Sequence, residues 1–241
     1  MAVKATYDDL AYHLRQFDKV YRSTEMMVQW LEDSEAGYFK TGEPQYICDM
    51  ACGCGANLAY LASKYPETRF LGIELEEKLV LEGNKKLSFS NAQIIQGDWF
   101  QLDRSLTNKF NGIISFQTLS WLPGYKEPLR CLADLNPEWI AISSLFYEGD
   151  VDYFIEVNDY TENESDYKEL RYNIYSLVRI KKCFESLGYK KFEYIPYDID
   201  IDIEPVNKMG RGTYTRKMAD GKRIQISGGM MMPWYFIVAS K

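Results

Sequence analysis

The sequence predicts an α/β fold in which a largely parallel sheet carries helices on both faces. Apolar runs of strand length alternate with stretches of helical periodicity along most of the 241 residues. The clearest unit is residues 46–74, where a strand, a glycine-rich turn, a helix and a second strand follow one another. Units of this kind bind ligands at the carboxyl ends of their strands, so we expect the rest of the chain to be organised around that edge.

The other elements follow from the same periodicities. Apolar positions at helical spacing in residues 4–31 predict one or two amphipathic helices that cover an edge of the sheet, with Ser23-Thr24-Glu25 as the cap of the second. Residues 32–43 are polar and form a linker. Beyond the central unit we predict helices over 76–86 and 176–187, strands over 92–95, 110–116, 139–145, 190–199 and 233–239, and a hairpin over 212–227.

The turn after the first strand has the chemistry of a nucleoside site. Gly53 and Gly55 can take positive φ and carry no side chain, so a ligand can approach the backbone, and the helix that follows offers free N–H groups. Glu74, 21 residues after Gly53, is placed to accept hydrogen bonds from a ribose diol. Asp49 would repel a pyrophosphate but can bind an amino group directly or through water. This favours a ligand with an ammonium group and no phosphate.

Three segments together resemble the class I S-adenosylmethionine (SAM)-dependent methyltransferases. Residues 49–55 (DMACGCG) resemble the first motif of that family, an acid, one residue and then GxGxG, with Ala51 at the first glycine position. Glu74 matches the family's ribose-binding acid. Residues 94–99 (IIQGDW) match its third motif, in which Asp98 contacts the adenine amine and Trp99 lies by the ring.

The resemblance implies a Rossmann-like class I fold with a seven-stranded, mostly parallel sheet and an antiparallel last strand between strands five and six. It also implies SAM as the cofactor and S-adenosylhomocysteine (SAH) as the product. Tyr21 and Arg22 lie at the break between the N-terminal helices, where Arg22 either pairs with the methionine carboxylate of SAM or remains an ordinary surface arginine. The predicted cofactor-binding residues are Tyr21, Arg22, Asp49, Ala51, Cys52, Gly53, Gly55, Asn57, Leu58, Glu74, Leu75, Gly97, Asp98, Trp99, Phe116 and Gln117.

Composition argues against several other classes of protein. The chain has no run of about 18 apolar residues and no apolar signal-peptide core at its start, and its five cysteines are an odd number, so we expect a cytoplasmic protein without a membrane span or a disulfide framework. The net charge of -7 argues against a general nucleic-acid binder. We expect neither nucleic acid nor membrane as a partner.

Neither the cysteines nor the single histidine predicts a metal site. Cys48, Cys52 and Cys54 lack the fourth ligand of a closed zinc site, and their CxxxCxC spacing differs from the CxxxCxxC of radical SAM enzymes. We expect them to be small buried residues, with no metal. His13 is expected on a helix, at the surface or the edge of the core and far from the motifs.

The acceptor site is predicted from two segments. Gln117 follows the fourth strand, where many relatives carry Asp or Asn, and an amide there can position a hydroxyl or hold the backbone but cannot act as a base. Residues 147–175 are acidic, contain six tyrosines and look too polar for core, which predicts a mobile lid or a solvated connecting loop. Arg171 beside Tyr172, and Arg211 between two glycines, are our candidates for clamping an anionic acceptor.

We therefore predict one domain, residues 1–241, with a helical cap (1–40), a cofactor-binding core (44–146), a lid (147–175) and a C-terminal part of helix, strands and hairpin (176–241). The hairpin and the MPWYFIV run also resemble small-molecule methyltransferases encoded beside bacterial surface-polysaccharide genes. The predicted reaction is SAM-dependent methylation of an oxygen on a small, anionic metabolite, such as a phosphate, a phosphoramidate or a sugar precursor of a surface polysaccharide.

Two alternatives remain open. An RNA or protein methyltransferase is weakened by the acidic charge and by the lack of an Asn-Pro-Pro-Tyr type tetrad after the fourth strand. A catalytically silent SAM-binding regulatory subunit is suggested because no catalytic base is obvious. The sequence leaves the oligomeric state undecided.

Overall fold

A computed structural model describes residues 10–40, 42–161, 167–205 and 212–241. Within these ranges the helices are α1 (Leu10–Arg15), α2 (Arg22–Asp33), α3 (Ala56–Lys64), α4 (Glu77–Lys86), α5 (Lys126–Asp134) and α6 (Leu177–Ser186). The strands are β1 (Tyr46–Met50), β2 (Arg69–Glu74), β3 (Ala92–Gln96), β4 (Gly112–Phe116), β5 (Trp139–Tyr147), β6 (Glu156–Asp159), β7 (Lys168–Arg171), β8 (Tyr175–Ser176), β9 (Lys191–Pro196), β10 (Thr213–Lys217), β11 (Arg223–Ser227), β12 (Met230–Met231) and β13 (Trp234–Ser240).

The main sheet has the strand order β3-β2-β1-β4-β5-β13-β9, with the short β8 paired to β5. β13 runs antiparallel between β5 and β9, while the pairs from β3 to β5 are parallel. This confirms the predicted seven-stranded sheet and the place of its last strand. The strand order reverses at β1, because β2 and β3 lie on one side of β1 and β4 lies on the other. A ligand crevice is therefore expected at the carboxyl ends of β1 and β4.

Helices pack on both faces of the sheet, as predicted. On one face, residues of α5 and α6 such as Leu132 and Phe184 join a buried cluster with the sheet. On the other face, α2 and α3 contribute Met27 and Leu61 to a second cluster. Full burial of each such side chain contributes about 1.5–3 kcal/mol, so both layers hold the strand ends firmly in place.

The N-terminal segment contains two helices, but the predicted cap of the second is wrong. The N-cap is Tyr21, whose side chain makes no capping hydrogen bond, and Ser23 and Thr24 lie inside the first turn of α2. Both are buried there because α2 packs against the sheet. Their hydroxyl groups therefore bond across to other elements. No helix in the described ranges is long and apolar enough to cross a membrane.

The predicted lid is described at residues 147–161 and 167–175. Its strands β6 and β7 pair antiparallel, and Phe154, which precedes β6, has 64% of its surface exposed to solvent. The expectation that the whole segment is too polar for core is wrong at its C-terminal end, where Tyr172, Asn173 and Tyr175 are buried. The reason is hydrogen bonding to a distant segment of the chain, because Asn173 Nδ2 and the Tyr175 hydroxyl both donate to Leu122 O at 2.9 Å.

This arrangement predicts two rates of amide exchange within the segment. Amides of β6 and β7 should exchange quickly in the free protein because much of the hairpin is exposed, whereas Asn173 N, which donates to Ser120 O at 2.9 Å, should exchange slowly. Cofactor and acceptor together should slow exchange in the hairpin if it closes over them. Hydrogen exchange with mass detection measures this, and uniformly slow exchange in the free protein would contradict a lid.

The predicted C-terminal hairpin is present. β10 and β11 pair antiparallel around Asp220 and Gly221, and Gly221 has φ +87°. β12 adds a third strand to this small sheet.

Candidate active site

The turn after β1 holds three residues in left-handed backbone conformations. Ala51, Gly53 and Gly55 have φ of +60°, +56° and +79°. Ala51 stands where the motif has its first glycine, and its backbone is left-handed. Glycine adopts this conformation without cost, whereas alanine costs about 1–2 kcal/mol there. The N–H groups of Ala51 and Cys52 donate to Ile73 O on β2 at 2.8 and 3.2 Å, which ties the turn to the next strand.

Glu74, at the end of β2, accepts a hydrogen bond from the same turn. Its Oε2 accepts from Gly53 N at 2.8 Å and its Oε1 from Glu76 N at 3.1 Å. Burial raises the pKa of this carboxyl, and backbone donors at Glu76, Gly53 and Leu75 act against that shift. A carboxylate has about four acceptor sites, so it can still accept from a hydroxyl group of a ribose.

Asp49 is the unsatisfied group of the site. The residue is 1% exposed, and neither carboxyl oxygen has a hydrogen-bond partner among the described residues. Burial, and then the nearby Glu74, raises the pKa of Asp49 well above its ordinary value. An unpaired buried carboxylate is costly unless a cation or donor reaches it. The ammonium group of SAM has the required chemistry, so these residues fit the cofactor that the sequence implies.

The third motif forms the neighbouring part of the site. Asp98 caps a short 3₁₀ helix by accepting from Phe100 N at 2.9 Å. Trp99 is buried in the core, where its Nε1 donates to Pro128 O at 3.0 Å. Leu75 is 37% exposed and provides open apolar surface close by. The contacts of Asp98 and Trp99 with adenine, and of Leu75 with the cofactor, stay predictions.

The first turn of α2 covers the carboxyl edge of the sheet. Gln117, after β4, has φ +62°, and its N–H donates to Ser143 O at 2.8 Å. Gln117 Nε2 donates to Ser23 Oγ at 3.1 Å, and Thr24 Oγ1 donates to Asn57 Oδ1 at 3.0 Å. A non-glycine residue in this conformation is a strained position of the kind that clusters at functional sites. The structure thus joins Gln117 and Asn57, predicted site residues, to two hydroxyl groups that sequence reasoning had assigned only to a helix cap.

Arg22 has partners within the protein. Its Nε and Nη2 donate to the two carboxyl oxygens of Asp200 at 2.9 and 2.6 Å, and its Nη1 donates to Glu25 at 3.2 Å. The Asp200 carboxylate raises the pKa of Arg22, and the guanidinium lowers the pKa of Asp200. Arg22 would have to exchange these partners to bind the SAM carboxylate, and that contact stays a prediction.

The predicted clamp of Arg171 and Tyr172 is not assembled. Arg171, the last residue of β7, pairs with Glu169 at 3.1 Å and with Glu156 at 3.6 Å. Tyr172 packs instead on Trp121, with ring centroids 4.6 Å apart. Two carboxylates therefore occupy the guanidinium that we expected to bind the acceptor. Arg211, the other clamp candidate, lies outside the described residues.

His13 is the residue whose position sequence reasoning missed. A Cβ added to Gly53 would lie 2.6 Å from His13 Nδ1, so the imidazole rests directly on the glycine turn. The expectation that His13 lies far from the motifs is wrong. The His13 ring also contacts Tyr12 edge to face, with 5.3 Å between the ring centroids. Arg15 lies over the Tyr12 ring, so a row of contacts runs along α1. Sequence spacing carried no signal for this placement because tertiary packing brings α1 to the turn.

The position of His13 provides a reporter for cofactor binding. Because this is the only histidine in the chain, its imidazole gives one set of NMR signals. SAH bound against Gly53 should shift these signals, while SAH should leave them unchanged in a Gly53→Ala variant that fails to bind it. A titration of the wild type measures the effect. Signals that stay in place although calorimetry shows bound SAH would contradict this position of the cofactor.

No cluster of three or more His, Cys, Asp or Glu residues that could hold a metal ion occurs in the part of the chain that the structure describes. Cys48 and Cys54 are buried, and Cys52 is half-buried.

Part of the chain matches a known protein family. Residues 47–135 match the methyltransferase domain family, a span that begins in β1 and includes Glu74, Asp98 and Gln117. An uncharacterized protein of Rickettsia prowazekii (strain Madrid E) is 28% identical over 149 residues, which cover 58% of this chain and 57% of that protein. The release factor glutamine methyltransferase of Aliivibrio fischeri (strain ATCC 700601 / ES114) is 33% identical over 78 residues, covering 31% of this chain and 27% of that protein. The chain thus spans only part of the curated relatives that it matches.

Among solved structures, magnesium protoporphyrin IX methyltransferase from Synechocystis PCC 6803 with bound SAM superposes with a TM-score of 0.52. It is 14% identical, and the match covers 99% of this chain and 87% of that one, which shows a shared fold. The fold is Rossmann-like, as in the class I methyltransferases. Residues 47–135 match a methyltransferase domain, and SAM is the cofactor that such a domain implies.

Proposed function

We propose that this chain is a SAM-dependent methyltransferase that methylates an oxygen of a small, anionic metabolite. The cofactor supplies an electrophilic methyl group on a sulfonium. Asp49, Glu74 and the N–H groups after Gly55 hold it at the carboxyl ends of β1 and β2. The residues of the protein then align donor and acceptor for direct displacement, and such alignment can account for about 7–11 kcal/mol of the barrier in favourable cases.

The observation that carries this proposal is the chemistry at the end of β4. Gln117 offers an amide, and the side chains of Ser23 and Thr24 lie against the same edge as neutral hydroxyl groups. These three groups hold an oxygen but do not remove its proton at neutral pH, and the imidazole of His13 lies on the glycine turn at Gly53 rather than at the end of β4. A neutral alcohol gains about 10²–10⁴-fold in rate from a general base, whereas a phosphate, phosphoramidate or carboxylate oxygen is already anionic and needs none.

The acceptor class within this proposal is a phosphate, a phosphoramidate or an anionic sugar precursor of a surface polysaccharide, in the cytoplasm. Trp121, which packs on the buried Tyr172, is a partly exposed aromatic residue that follows β4. The clamp by Arg171 belongs to the proposal only if the arginine leaves Glu156 and Glu169 when the acceptor binds.

A second candidate is a protein methyltransferase, which the similarity to a release factor glutamine methyltransferase favours. In this chain Gln117-Thr118-Leu119-Ser120 follows β4 in place of an Asn-Pro-Pro-Tyr type tetrad. This difference favours transfer to oxygen over transfer to an amide nitrogen. A catalytically silent SAM-binding subunit would bind the cofactor but activate a partner enzyme.

The test is a screen for methyl gain by mass spectrometry. Purified protein and SAM are incubated with sugar nucleotides, phosphorylated metabolites, neutral sugars and glutamine-containing peptides. We expect methyl transfer to a phosphorylated or otherwise anionic acceptor, and much slower transfer at a SAM concentration that does not saturate the variant when Asp49→Asn replaces the wild type. Transfer to a neutral alcohol or to a peptide would contradict the proposed acceptor class. SAM binding without turnover on any acceptor would support the silent subunit.

A further inference from the structure

A buried serine next to the site has no hydrogen-bond partner. Ser143 Oγ, on β5, is fully buried and bonds to no described residue. Two other buried serines of the same sheet differ, since Ser115 Oγ donates to Met50 O at 3.0 Å and Ser144 Oγ shares a hydrogen bond of 2.5 Å with Ser120. A buried hydroxyl without a partner destabilises a protein, so its presence calls for a functional explanation.

Ser143 lies on the same face of the sheet as Asp49. Ile47 and Ala141 belong to the cluster that includes residues of α2, and side chains two positions further along a strand point to the same side. Asp49 and Ser143 are those positions on β1 and β5. The two unsatisfied polar groups therefore both face the helix that covers the site. The Tyr65 hydroxyl, another buried group of this kind, lies beside Glu32, and the residue follows the C-terminal end of α3.

The strand register shows where Ser143 lies relative to Asp49. Asp49 pairs with Ile114 on β4, Ile114 pairs with Ala141 on β5, and Ser143 pairs with Phe116. Ser143 thus lies two strands away from Asp49 and two residues closer to the carboxyl edge. With about 4.8 Å between strands and about 3.3 Å per residue, the two Cα atoms are about 12 Å apart.

This direction leads from the amine of the cofactor towards the acceptor. If Asp49 binds the ammonium group of SAM, the methyl group lies at the other end of the short methionine chain. The acceptor must approach that methyl from beyond the sulfur, on the side of β4 and β5. Gln117 marks this side, because its N–H donates to the backbone carbonyl of Ser143 at 2.8 Å.

The burial of Ser143 agrees with this role. Asp49 and Ser143 are each 1% exposed, and Ser23 and Thr24 in the first turn of α2 bond to Gln117 and Asn57 across the edge. Because both residues are buried, a ligand can reach either of them only after the residues around it rearrange.

We propose that Ser143 binds the acceptor by donating a hydrogen bond from its Oγ to an anionic, phosphate-like oxygen. This inference rests on the proposed function and adds a residue and a ligand chemistry to it. The hydroxyl remains unpaired in the protein because its partner is the substrate. Loss of the hydroxyl should then weaken acceptor binding without loss of stability.

The experiment uses methyl phosphate as the probe, added to the SAH complex and measured by calorimetry. Wild type should bind it, and Ser143→Ala should bind it at least 5-fold more weakly, with unchanged SAH affinity and an equal or higher Tm. Ser115→Ala and Ser144→Ala are matched controls. Each loses a satisfied hydroxyl, so each should lower the Tm and leave methyl phosphate affinity unchanged.

Equal methyl phosphate affinity in wild type and Ser143→Ala would overturn the assignment. A lower Tm for Ser143→Ala would also overturn it, because the hydroxyl would then have a structural partner such as a buried water. If the wild-type SAH complex does not bind methyl phosphate, Ser143 is not a site for such an oxygen. SAH binding in that same titration would leave the methyltransferase proposal standing.

Discussion

Asp49→Asn should lower the affinity for SAM by at least about 30-fold. Removing one partner of a buried charge pair costs about 2–5 kcal/mol, and the amide that replaces the carboxylate carries no charge for the ammonium group of the cofactor. The same substitution should raise the stability of the free protein, because Asp49 has no hydrogen-bond partner among the described residues. Calorimetry with SAM and thermal unfolding measure the two effects. They are expected to have opposite signs.

The pH dependence of this gain in stability follows from the pKa of Asp49. Burial raises that pKa above the ordinary value of 3.8, so the unfolded chain ionises first as the pH rises. The wild type therefore loses stability between 3.8 and the higher pKa of the folded state, and the asparagine variant does not. The advantage of Asp49→Asn should be largest above the folded pKa and disappear below 3.8.

Asp134→Asn is the matched control for this prediction, since it makes the same change at an exposed position at the end of α5. Its SAM affinity should equal that of the wild type. Unchanged SAM affinity in Asp49→Asn would show that the cofactor amine binds elsewhere. A lower stability of that variant would show that Asp49 already has a favourable partner in the free protein.

Glu74→Ala should weaken SAM binding by about 10- to 150-fold and also destabilise the glycine turn. Loss of charge-assisted hydrogen bonds to the ribose accounts for about 1.5–3 kcal/mol of binding free energy. Glu74 also accepts from Gly53 N and Glu76 N, and each donor left buried without an acceptor costs about 1–3 kcal/mol. Calorimetry gives the affinity, and chemical denaturation gives the free energy of unfolding.

A second substitution separates the two roles of Glu74. Glu74→Gln keeps one acceptor oxygen, so it should retain more stability than Glu74→Ala while still losing affinity for the ribose. Glu67→Ala, the loss of an exposed acid between α3 and β2, controls for the change in net charge. Unchanged SAM affinity in Glu74→Ala, or tighter binding of NAD than of SAM by the wild type, would contradict the assigned role.

The sequence by itself determined the fold, and it predicts the cofactor side of the site. Strand and helix periodicities and the glycine turn are local signals, and the order of three motifs was enough to predict the sheet and its antiparallel last strand. Gly53, Gly55 and Glu74 could be assigned because the residue type at each position is required by the backbone or by the ligand. Asp49 could be assigned because its charge excludes one class of ligand and suits another.

Only the tertiary structure decided which side chains meet across the site. His13 rests on Gly53, Ser23 bonds to Gln117, and Asp200 binds Arg22, although these pairs lie far apart in the sequence. Ion pairs with Glu156 and Glu169 engage Arg171, while Tyr172 packs on Trp121. The free hydroxyl of Ser143 could not be recognised from the sequence either, because buried serines at positions 115, 143 and 144 look alike there. Hydrogen bonding between distant elements satisfies two of them and leaves the third unpaired.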